Sequence, residues 1–374
     1  MKMPRYRDIY ETLKGEIRTG KFGVGCSFPS ERALMRRFSV ARETVRHAID
    51  ELRKQSLLES RQGTMNVLAF RARERAAGTF GMIVPDSSYP FYTRICSGIE
   101  RAAKRAGGGS GFGLLSVDLG FGERSLQIER ALDFADVCVR EKVSGVFFQP
   151  LQLTRGVDRA NHVILSRLTR AGIPVVLLDS DIVPPPRRSK FDLVGVDNIA
   201  IGYDIGEHLI GRGAKRIVFL LQPYPAPTSL LRGYGISLAV TEAGLPWTDK
   251  NVVFADPKDP STVRKVMGGR KRTEAVAVAN DYAASLFLEN LKAHGMRVPE
   301  DVMLVGVNGD PLAETADPPI TTAVQPCEQI GELAVQLMLE RISNPNLPRR
   351  SILLDAPLII RKSSQKTKKR QKKG

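Results

Sequence analysis

The sequence predicts a small α+β domain, a helix-turn-helix with a two-stranded wing, followed by a larger α/β body. Between residues 29 and 67, apolar residues recur at helical spacing on both sides of a short turn, and two strand signals follow. From Thr79 onward, short apolar runs bounded by Gly, Pro or Asp alternate with amphipathic stretches, which is typical of parallel sheets covered by helices. These runs are too many for one sheet, so we expect two doubly wound parallel-sheet subdomains.

The N-terminal elements are predicted from caps and spacing. A first helix is expected over residues 7–20, and a second begins after Ser30, whose hydroxyl is a good N-cap. Residues 39–41 form the turn, and the third helix runs from Arg42 to about Gln55. Strand signals at residues 57–60 and 65–68 flank the tip of the wing. The third helix has an apolar stripe of Val45, Ala48, Ile49 and Leu52.

The leading end of the third helix carries Arg42, Thr44 and Arg46 on its polar side. Arginine forks match the guanine edge, and threonine can reach another base edge or a phosphate. A helix of this kind alone is more often an ordinary solvated amphipathic helix. Its combination with a preceding helix, a turn and a basic wing favours DNA binding instead.

These residues resemble the winged helix-turn-helix domain of the GntR family of bacterial transcription regulators. The resemblance implies that Arg32, Arg42, Thr44, Arg46 and Gly63 face DNA. The matching residues are Pro29-Ser30-Glu31-Arg32, Leu34, Phe38, Val40, Arg42-x-Thr44-Val45-Arg46, Ala48, Leu52, Leu57 and Arg61-Gln62-Gly63. The chain departs from the family pattern at Ala41, where serine is usual, and at Met65-Asn66, where a second glycine and a threonine are usual.

Composition indicates a globular protein of the cytoplasm. The 374 residues allow two or three cores, and 42% of them are hydrophobic. No apolar run is long enough for a membrane span, and the N-terminus lacks the apolar core of a signal peptide. The four cysteines form no CxxC pair and the four histidines show no metal-ligand spacing, so we expect free thiols, no metal and no cofactor.

The net charge of +16 is concentrated at the two ends of the chain. Residues 1–75 hold 17 Lys/Arg against 9 Asp/Glu, and residues 362–374 hold seven basic residues and no acidic one. The body between them is nearly neutral. A basic head and tail suggest contact with a polyanion, although a solvated disordered end explains the tail equally well.

The body lacks the sequence motifs of common enzymes. No GxxxxGK[ST], GxSxG or HExxH pattern occurs, so we expect no enzyme activity. Nine strands are expected instead, at residues 80–84, 112–117, 143–148, 175–179, 193–196, 217–221, 252–254, 275–278 and 303–307.

Residues 79–363 resemble the effector-binding domain of LacI/GalR-type repressors, which shares the fold of periplasmic sugar-binding proteins. The family binds its ligand between two subdomains, at the carboxyl ends of the strands. The matching segments are residues 81–86, 90–92, 98–100, 172–176, 194–198, 213–217, 279–281, 298–302, 305–306, 319–322 and 361–363. By position, the resemblance implies a cleft lined by Asp86, Tyr89, Phe91, Asp179, Asn280, Asp281, Asn308 and Gln325. For Asp281, capping of the following helix is an equally good explanation.

Four positions depart from the LacI/GalR pattern. Tyr89 stands where the family has asparagine, and Ser180 where it has arginine after the strand-end aspartate. Leu230 falls where the sugar-binding arginine is expected, three residues before Gly233, and Asn308 replaces an aspartate. The resemblance still implies a carbohydrate ligand, but because of these four departures the sequence does not identify which one.

Taken together, the resemblances imply a ligand-responsive transcription regulator, similar in architecture to arabinose-repressor-like proteins. We expect a homodimer that binds a pseudo-palindromic operator in double-stranded DNA and a small effector, with no membrane contact. The expected organisation is a DNA-binding domain at 1–68, a linker at 69–78, an effector and dimerisation domain at 79–361, and a basic disordered tail at 362–374. The alternative is a sugar-binding or sugar-processing protein that does not regulate specific genes.

Overall fold

The computed structural model describes residues 6–18, 29–54, 58–59, 67–68, 78–85, 89–106, 112–119, 124–152, 156–268 and 272–365. These residues form twelve α-helices and fourteen strands. None of the described helices has an apolar stretch long enough to cross a membrane. The expected linker lies almost entirely outside the described residues.

The N-terminal domain has the predicted helices and wing. Ser30 caps the second helix by accepting a hydrogen bond from the Ala33 amide at 3.2 Å, and Ser39 ends it in a left-handed conformation with φ of 52°. The wing strands pair antiparallel. The elements are α1 (Tyr6–Arg18), α2 (Glu31–Phe38), α3 (Arg42–Lys54), β1 (Leu58–Glu59) and β2 (Val67–Leu68).

A small apolar core joins the three helices. It contains the predicted stripe of α3 together with side chains of α1 and α2, and these residues are almost completely buried: Ile9, Tyr10, Leu13, Leu34, Val45, Ala48, Ile49 and Leu52. Because the apolar side of α3 is used in this core, its polar side faces away from the domain.

The body consists of two doubly wound subdomains, as predicted. The N-terminal subdomain has a parallel sheet in the order β13-β7-β6-β5-β3-β4. Its strands are β3 (Thr79–Val84), β4 (Gly113–Asp118), β5 (Gly145–Phe148), β6 (Val175–Leu178), β7 (Asp192–Val196) and β13 (Ser351–Leu354). Its helices are α4 (Pro90–Ala106), α5 (Arg124–Arg140), α6 (Val157–Arg170) and α12 (Cys327–Ser343).

The C-terminal subdomain has the same strand order, β14-β12-β11-β10-β8-β9, and only its edge strand β14 is antiparallel. Its strands are β8 (Ile217–Leu221), β9 (Val252–Phe254), β10 (Ala275–Val278), β11 (Met303–Asn308), β12 (Thr321–Val324) and β14 (Leu358–Ile359). Its helices are α7 (Asn198–Gly211), α8 (Pro227–Glu242), α9 (Pro260–Met267), α10 (Asp281–Ala293) and α11 (Pro311–Thr315). The chain passes between the subdomains at residues 197, 325–326 and 355–357.

Three strands were not predicted, namely β12, β13 and β14. Strand β12 begins with two threonines, and β13 and β14 are partly exposed edge strands, so none forms an apolar run. The threonines are nevertheless fully buried because their hydroxyls find hydrogen-bond partners within the sheet region.

The expected start of the disordered tail at Lys362 is wrong. Ser363 and Ser364 are fully buried beside the C-terminal sheet. The Ser363 hydroxyl accepts a hydrogen bond from the Thr321 amide and donates to the Leu304 carbonyl, at 2.9 and 2.6 Å. These bonds tie residues 363–364 to the subdomain, and residues 366–374 lie outside the described part.

Two helix pairs bring the backbones into direct contact at glycines. In the C-terminal subdomain, a methyl group on Gly235 of α8 would overlap the Ile199 carbonyl oxygen of α7, and one on Gly202 would overlap the Arg232 carbonyl. In the N-terminal subdomain, Gly98 of α4 and Gly331 of α12 form the same kind of crossing. Both pairs therefore require glycine at the point of contact.

We expect Gly235→Ala to lower the free energy of unfolding by at least about 2 kcal/mol, because α7 and α8 would have to separate. Gly211→Ala is the matched control, since a methyl group at this last residue of α7 meets no atom within 4 Å. This control should be neutral or slightly stabilising, by up to about 1 kcal/mol. Urea unfolding of both variants measures the difference, and equal stabilities would contradict the close contact.

Candidate functional site

A cleft of about 320 Å³ lies between the two subdomains of the body. Its walls come from the carboxyl ends of strands in both sheets, where doubly wound folds generally bind ligands. The polar and aromatic lining residues are Tyr89, Phe91, Tyr92, Gln127, Gln152, Asp179, Gln222, Thr228, Ser229, Arg232, Asn280, Tyr282, Asn308 and Gln325.

Six of the eight residues predicted for the cleft line it. These are Tyr89, Phe91, Asp179, Asn280, Asn308 and Gln325. Asp86 lies outside the described residues. Asn280 has a second role, because its side chain accepts a hydrogen bond from the Ala283 amide at 2.8 Å and caps α10.

Asp281 does not line the cleft, so its predicted contact with ligand is wrong. Its side chain is fully buried and turned toward the next strands, where one oxygen accepts hydrogen bonds from the Asp310 amide at 2.8 Å and the Thr322 hydroxyl at 2.9 Å. The capping alternative also fails, since Asn280 is the cap of α10. Asp281 instead supports the loop after β11 from beneath the cleft.

Arg232 is the charged residue of the cleft that the sequence analysis does not predict. The family arginine was expected at residue 230, counted from Gly233, but Gly235 is the glycine at the helix crossing. Counted from Gly235, the position three residues earlier is Arg232, which lines the cleft and is 4% exposed. Leu230 instead packs beside the apolar core. The presence of Gly235 two residues after Gly233 is the sequence signal that could have placed the family arginine at residue 232 instead of residue 230.

Arg232 and Asp179 form the charged part of the cleft. The Arg232 guanidinium donates to Asn198 Oδ1 at 2.8 Å and to the Ala279 carbonyl at 2.6 Å. Burial lowers the pKa of Arg232, while the nearby Asp179 carboxylate opposes this shift. Burial raises the pKa of Asp179, and Arg232 and the Gln149 amide oppose that shift. The two opposite charges thus reduce the cost of each other's burial.

Three buried polar atoms of the lining have no hydrogen-bond partner among the described residues. They are Asp179 Oδ1, Gln325 Oε1 and Gln152 Nε2. Buried polar atoms are rarely left unpaired in proteins, since each one costs about 1–3 kcal/mol. Two acceptors and one donor are therefore available to a small polar ligand.

The backbone is strained at two of the lining positions. Asp179 has φ of 61° and Asn308 has φ of 123°, and both residues stand at the end of a strand. Left-handed backbone at a non-glycine residue costs free energy and is concentrated at functional sites. Each of these conformations turns its side chain toward the space between the sheets. The Asn308 side chain is then held by Gln325, whose Nε2 donates to its Oδ1 at 2.9 Å.

Three of the five residues predicted to contact DNA lie on the polar side of α3, and Arg32 lies on α2. Arg32, Arg42 and Arg46 are exposed, and Thr44 is half-buried. Arg42 Nε donates to Glu31 at 2.8 Å, and Arg46 Nε lies 3.6 Å from the other oxygen of the same carboxylate. Glu31 therefore brings two arginines of α3 together while contacting only the Nε edge of each. Gly63 lies outside the described residues.

The described residues contain no group of three or more potential metal ligands. Cys96, Cys138 and Cys327 are buried free thiols, as expected, and burial raises the pKa of each to about 12. Thiols in this state are poor nucleophiles. Cys26 lies outside the described residues.

We expect Asp281→Asn to flatten the pH dependence of stability. Burial raises the pKa of Asp281 to about 7, against 3.8 for the free side chain. Between these values the folded protein retains a proton that the unfolded chain has lost, so stability falls as pH rises through 7. An asparagine cannot ionise and should reduce the loss between pH 5 and pH 8 by about 2 kcal/mol.

Chemical unfolding at the two pH values measures this difference. Glu289→Gln is the control, because it makes the same kind of carboxylate-to-amide change at an exposed position. An Asp281→Asn profile parallel to that of the unmodified protein would show that Asp281 is ionised in the folded state throughout this range.

Comparison with known proteins agrees with this geometry. Residues 5–64 match the gntR family of bacterial regulatory proteins, and residues 207–364 match the periplasmic binding protein-like domain. The transcriptional repressor PurR of Photobacterium profundum is 26% identical over 76% of this chain and 80% of its own length. The ribose operon repressor of Escherichia coli is 27% identical over 76% of this chain and 82% of its own length.

Solved structures share the fold. A LacI-type regulator from Bacillus cereus aligns with a TM-score of 0.64 at 22% identity, covering 78% of this chain and 99% of its own. The regulator CelR in complex with cellobiose aligns with a TM-score of 0.65 at 24% identity, covering 96% and 99%. A LacI-family regulator from Enterococcus faecium with bound ribose aligns with a TM-score of 0.61 at 21% identity, covering 78% and 100%. The chain therefore joins a domain that matches the gntR family model to a periplasmic-binding-protein-like domain that is similar to those of LacI-type regulators.

Proposed function

We propose that this protein is a transcription regulator whose affinity for an operator is controlled by a small ligand in the cleft. The observation that carries the proposal is the presence of two sites on one chain. The helix-turn-helix domain presents exposed arginines on α3, and the body holds a cleft with unpaired buried polar atoms. A binding site for DNA and one for a small molecule are what a ligand-controlled regulator requires.

We further propose that the ligand is a carbohydrate. Asp179, Arg232 and Gln152 offer acceptors and donors for adjacent hydroxyl groups, and Phe91 and Tyr282 offer aromatic faces for the apolar side of a sugar ring. Structural neighbours bound to ribose, cellobiose and D-xylulofuranose support this class. The relatives are regulators, so we propose that the ligand is bound and not converted.

The proposed mechanism is a change in cleft closure. Ligand that binds the closed form more tightly shifts the population toward it, and the rotation of the subdomains alters the spacing of two DNA-binding domains in a homodimer. A nearly complete switch requires a difference in ligand affinity of about 10⁴-fold between the two states. We propose that ligand relieves repression and that the protein acts in the cytoplasm.

The test of this function is selection of bound fragments from a random pool of double-stranded DNA. We expect a pseudo-palindromic site bound roughly 10³-fold more tightly than a scrambled sequence, with affinity that changes on addition of one member of a carbohydrate panel. Recovery of no common motif would contradict the regulator and favour binding by charge alone. Consumption of a sugar in the same panel would favour the sugar-processing alternative.

We expect Arg42→Ala and Arg46→Ala each to weaken binding to the selected operator by about 1–3 kcal/mol, because each would remove a fork to a base edge. Binding to scrambled DNA should change much less. Arg264→Ala, an exposed arginine of α9 in the body, is the control for loss of one positive charge. Fluorescence anisotropy on both DNAs measures the effect, and equal losses on the two sequences would exclude base reading.

We expect Asp179→Asn to weaken the carbohydrate identified in the panel by about tenfold to a hundredfold, since an unpaired acceptor loses its charge and half of its acceptor capacity. The fold should be retained, because burial already disfavours the charged form of Asp179. Asp136→Asn, on the exposed side of α5, is the control. Calorimetric titration of both variants measures the affinity, and unchanged affinity in Asp179→Asn would remove this residue from the site.

A further inference from the structure

The hydroxyl group of Tyr89 joins the two walls of the cleft. Tyr89 precedes α4 and belongs to the N-terminal subdomain, whereas Asn308 and Asp310 follow the C-terminal sheet. The hydroxyl donates to Asp310 Oδ2 at 2.8 Å and accepts from Asn308 Nδ2 at 3.2 Å. One side chain of one subdomain is thus hydrogen-bonded to two residues of the other.

The ring of Tyr89 also contacts the opposite subdomain. It meets the ring of Tyr282, at the start of α10, edge to face with centroids 6.5 Å apart. On its own side it packs against Tyr92, at 5.9 Å. The Tyr89 ring is thereby held in a layer of aromatic side chains that reaches from one wall to the other. Because the ring is already restrained, forming the hydrogen bond costs the Tyr89 side chain little further conformational entropy.

The buried surroundings strengthen the hydrogen bond that the Tyr89 hydroxyl donates to Asp310. Burial, and next the Asp310 carboxylate, raise the pKa of Tyr89 well above its ordinary value, so the hydroxyl keeps its proton. Burial raises the pKa of Asp310, while the bonds from Tyr89 and Asn308 and the charge of Arg94 oppose this shift. The other carboxylate oxygen of Asp310, Oδ1, is buried and has no hydrogen-bond partner among the described residues. A carboxylate with few partners in a partly dry cleft is stabilised strongly by each donor that it has.

The bond also uses up polar groups that a ligand would otherwise find on this wall. Asn308 is shared between Tyr89, Gln325 and a weaker contact with Asp310 at 3.4 Å. The unpaired lining atoms lie elsewhere, on Asp179, Gln152 and Gln325. The hydroxyl of Tyr89 therefore occupies the place that a ligand hydroxyl would take against Asn308 and Asp310.

We propose that Tyr89 is a latch that holds the cleft closed in the absence of ligand by standing in for a ligand hydroxyl on the C-terminal wall. Its meaning for gene regulation rests on the proposed function, but the latch itself is a property of the free protein. A single hydrogen bond of this kind shifts the ratio of closed to open molecules by about tenfold. The latch thus supplies part of the free energy of closure before ligand binds, and the ligand supplies the remainder of the shift toward the closed form.

Distances between spin labels on the two subdomains test the latch without knowledge of the ligand. Full-length protein carrying Cys26→Ser would be labelled at Arg170→Cys and Glu289→Cys, and separately at Arg140→Cys and Lys292→Cys. All four label positions are exposed and lie on α6, α10 and α5, while the other native cysteines are buried. The two pairs share α10 but end on different helices of the N-terminal subdomain, so they report the separation of the subdomains along two directions.

We expect the ratio of the longer, open distance to the shorter, closed distance to be about tenfold higher in Tyr89→Phe than in the parent. Tyr282→Phe is the matched control. It removes a hydroxyl from the same cleft, and that hydroxyl makes no bond to the N-terminal subdomain in the described part of the chain. Its distances should equal those of the parent.

Asp310→Ala removes the partner from the other wall and should populate the same longer distance as Tyr89→Phe. Melting curves establish that each variant is folded. Identical distance distributions in Tyr89→Phe and the parent, for both label pairs, would overturn the latch. This outcome is independent of operator selection, because a protein without the latch can still recognise a specific DNA site, and a latched protein can fail to do so.

Discussion

The contact of helix backbones at two glycine crossings is the constraint on which the geometry of the cleft depends. In each subdomain, one helix approaches another so closely that a carbonyl oxygen occupies the space of a missing methyl group. The helices involved are α4 with α12 and α7 with α8. Helix α4 follows Tyr89 and carries Phe91 in its first turn, α8 carries Arg232, and α12 follows Gln325. Close packing prevents these helices from sliding past one another. The cleft residues on or next to them are therefore fixed in position on both walls of the cleft.

The polar groups that line the cleft do not all form hydrogen bonds with one another. Arg232 is bonded to Asn198 and to a carbonyl, not directly to Asp179, although their charges are close enough to influence each other. Asp179 and Asn308 are held by strained backbone at the ends of their strands. A cleft whose polar atoms paired completely with one another would gain little from a ligand. Here the stability of the rest of the fold offsets the free-energy cost of leaving some of these atoms without a hydrogen bond.

The errors of the sequence interpretation have specific physical causes. The arginine is expected at residue 230 because the motif is counted from Gly233, whereas the glycine at the helix crossing is Gly235. Asp281 was placed in the cleft because it follows a strand, but the first residue of α10 points beneath the sheet edge while the capping Asn280 lines the cleft. Tyr89 lines the cleft as predicted, but its hydrogen-bond partners in the other subdomain are more than 200 residues away in sequence, so no local pattern indicates them.

The sequence by itself determined the order of most elements, the two-domain organisation and six residues of the cleft lining, because these follow from local periodicity, caps and the position of binding sites at strand ends. It also determined which face of α3 is polar. Only the tertiary structure decided which residue of α8 lines the cleft, the strands β12 to β14, the burial of Ser363 and Ser364, and the hydrogen bond from Tyr89 to Asp310. Each of these depends on contacts between residues far apart in the chain, whose free energy is set by packing and leaves no periodic trace in the sequence.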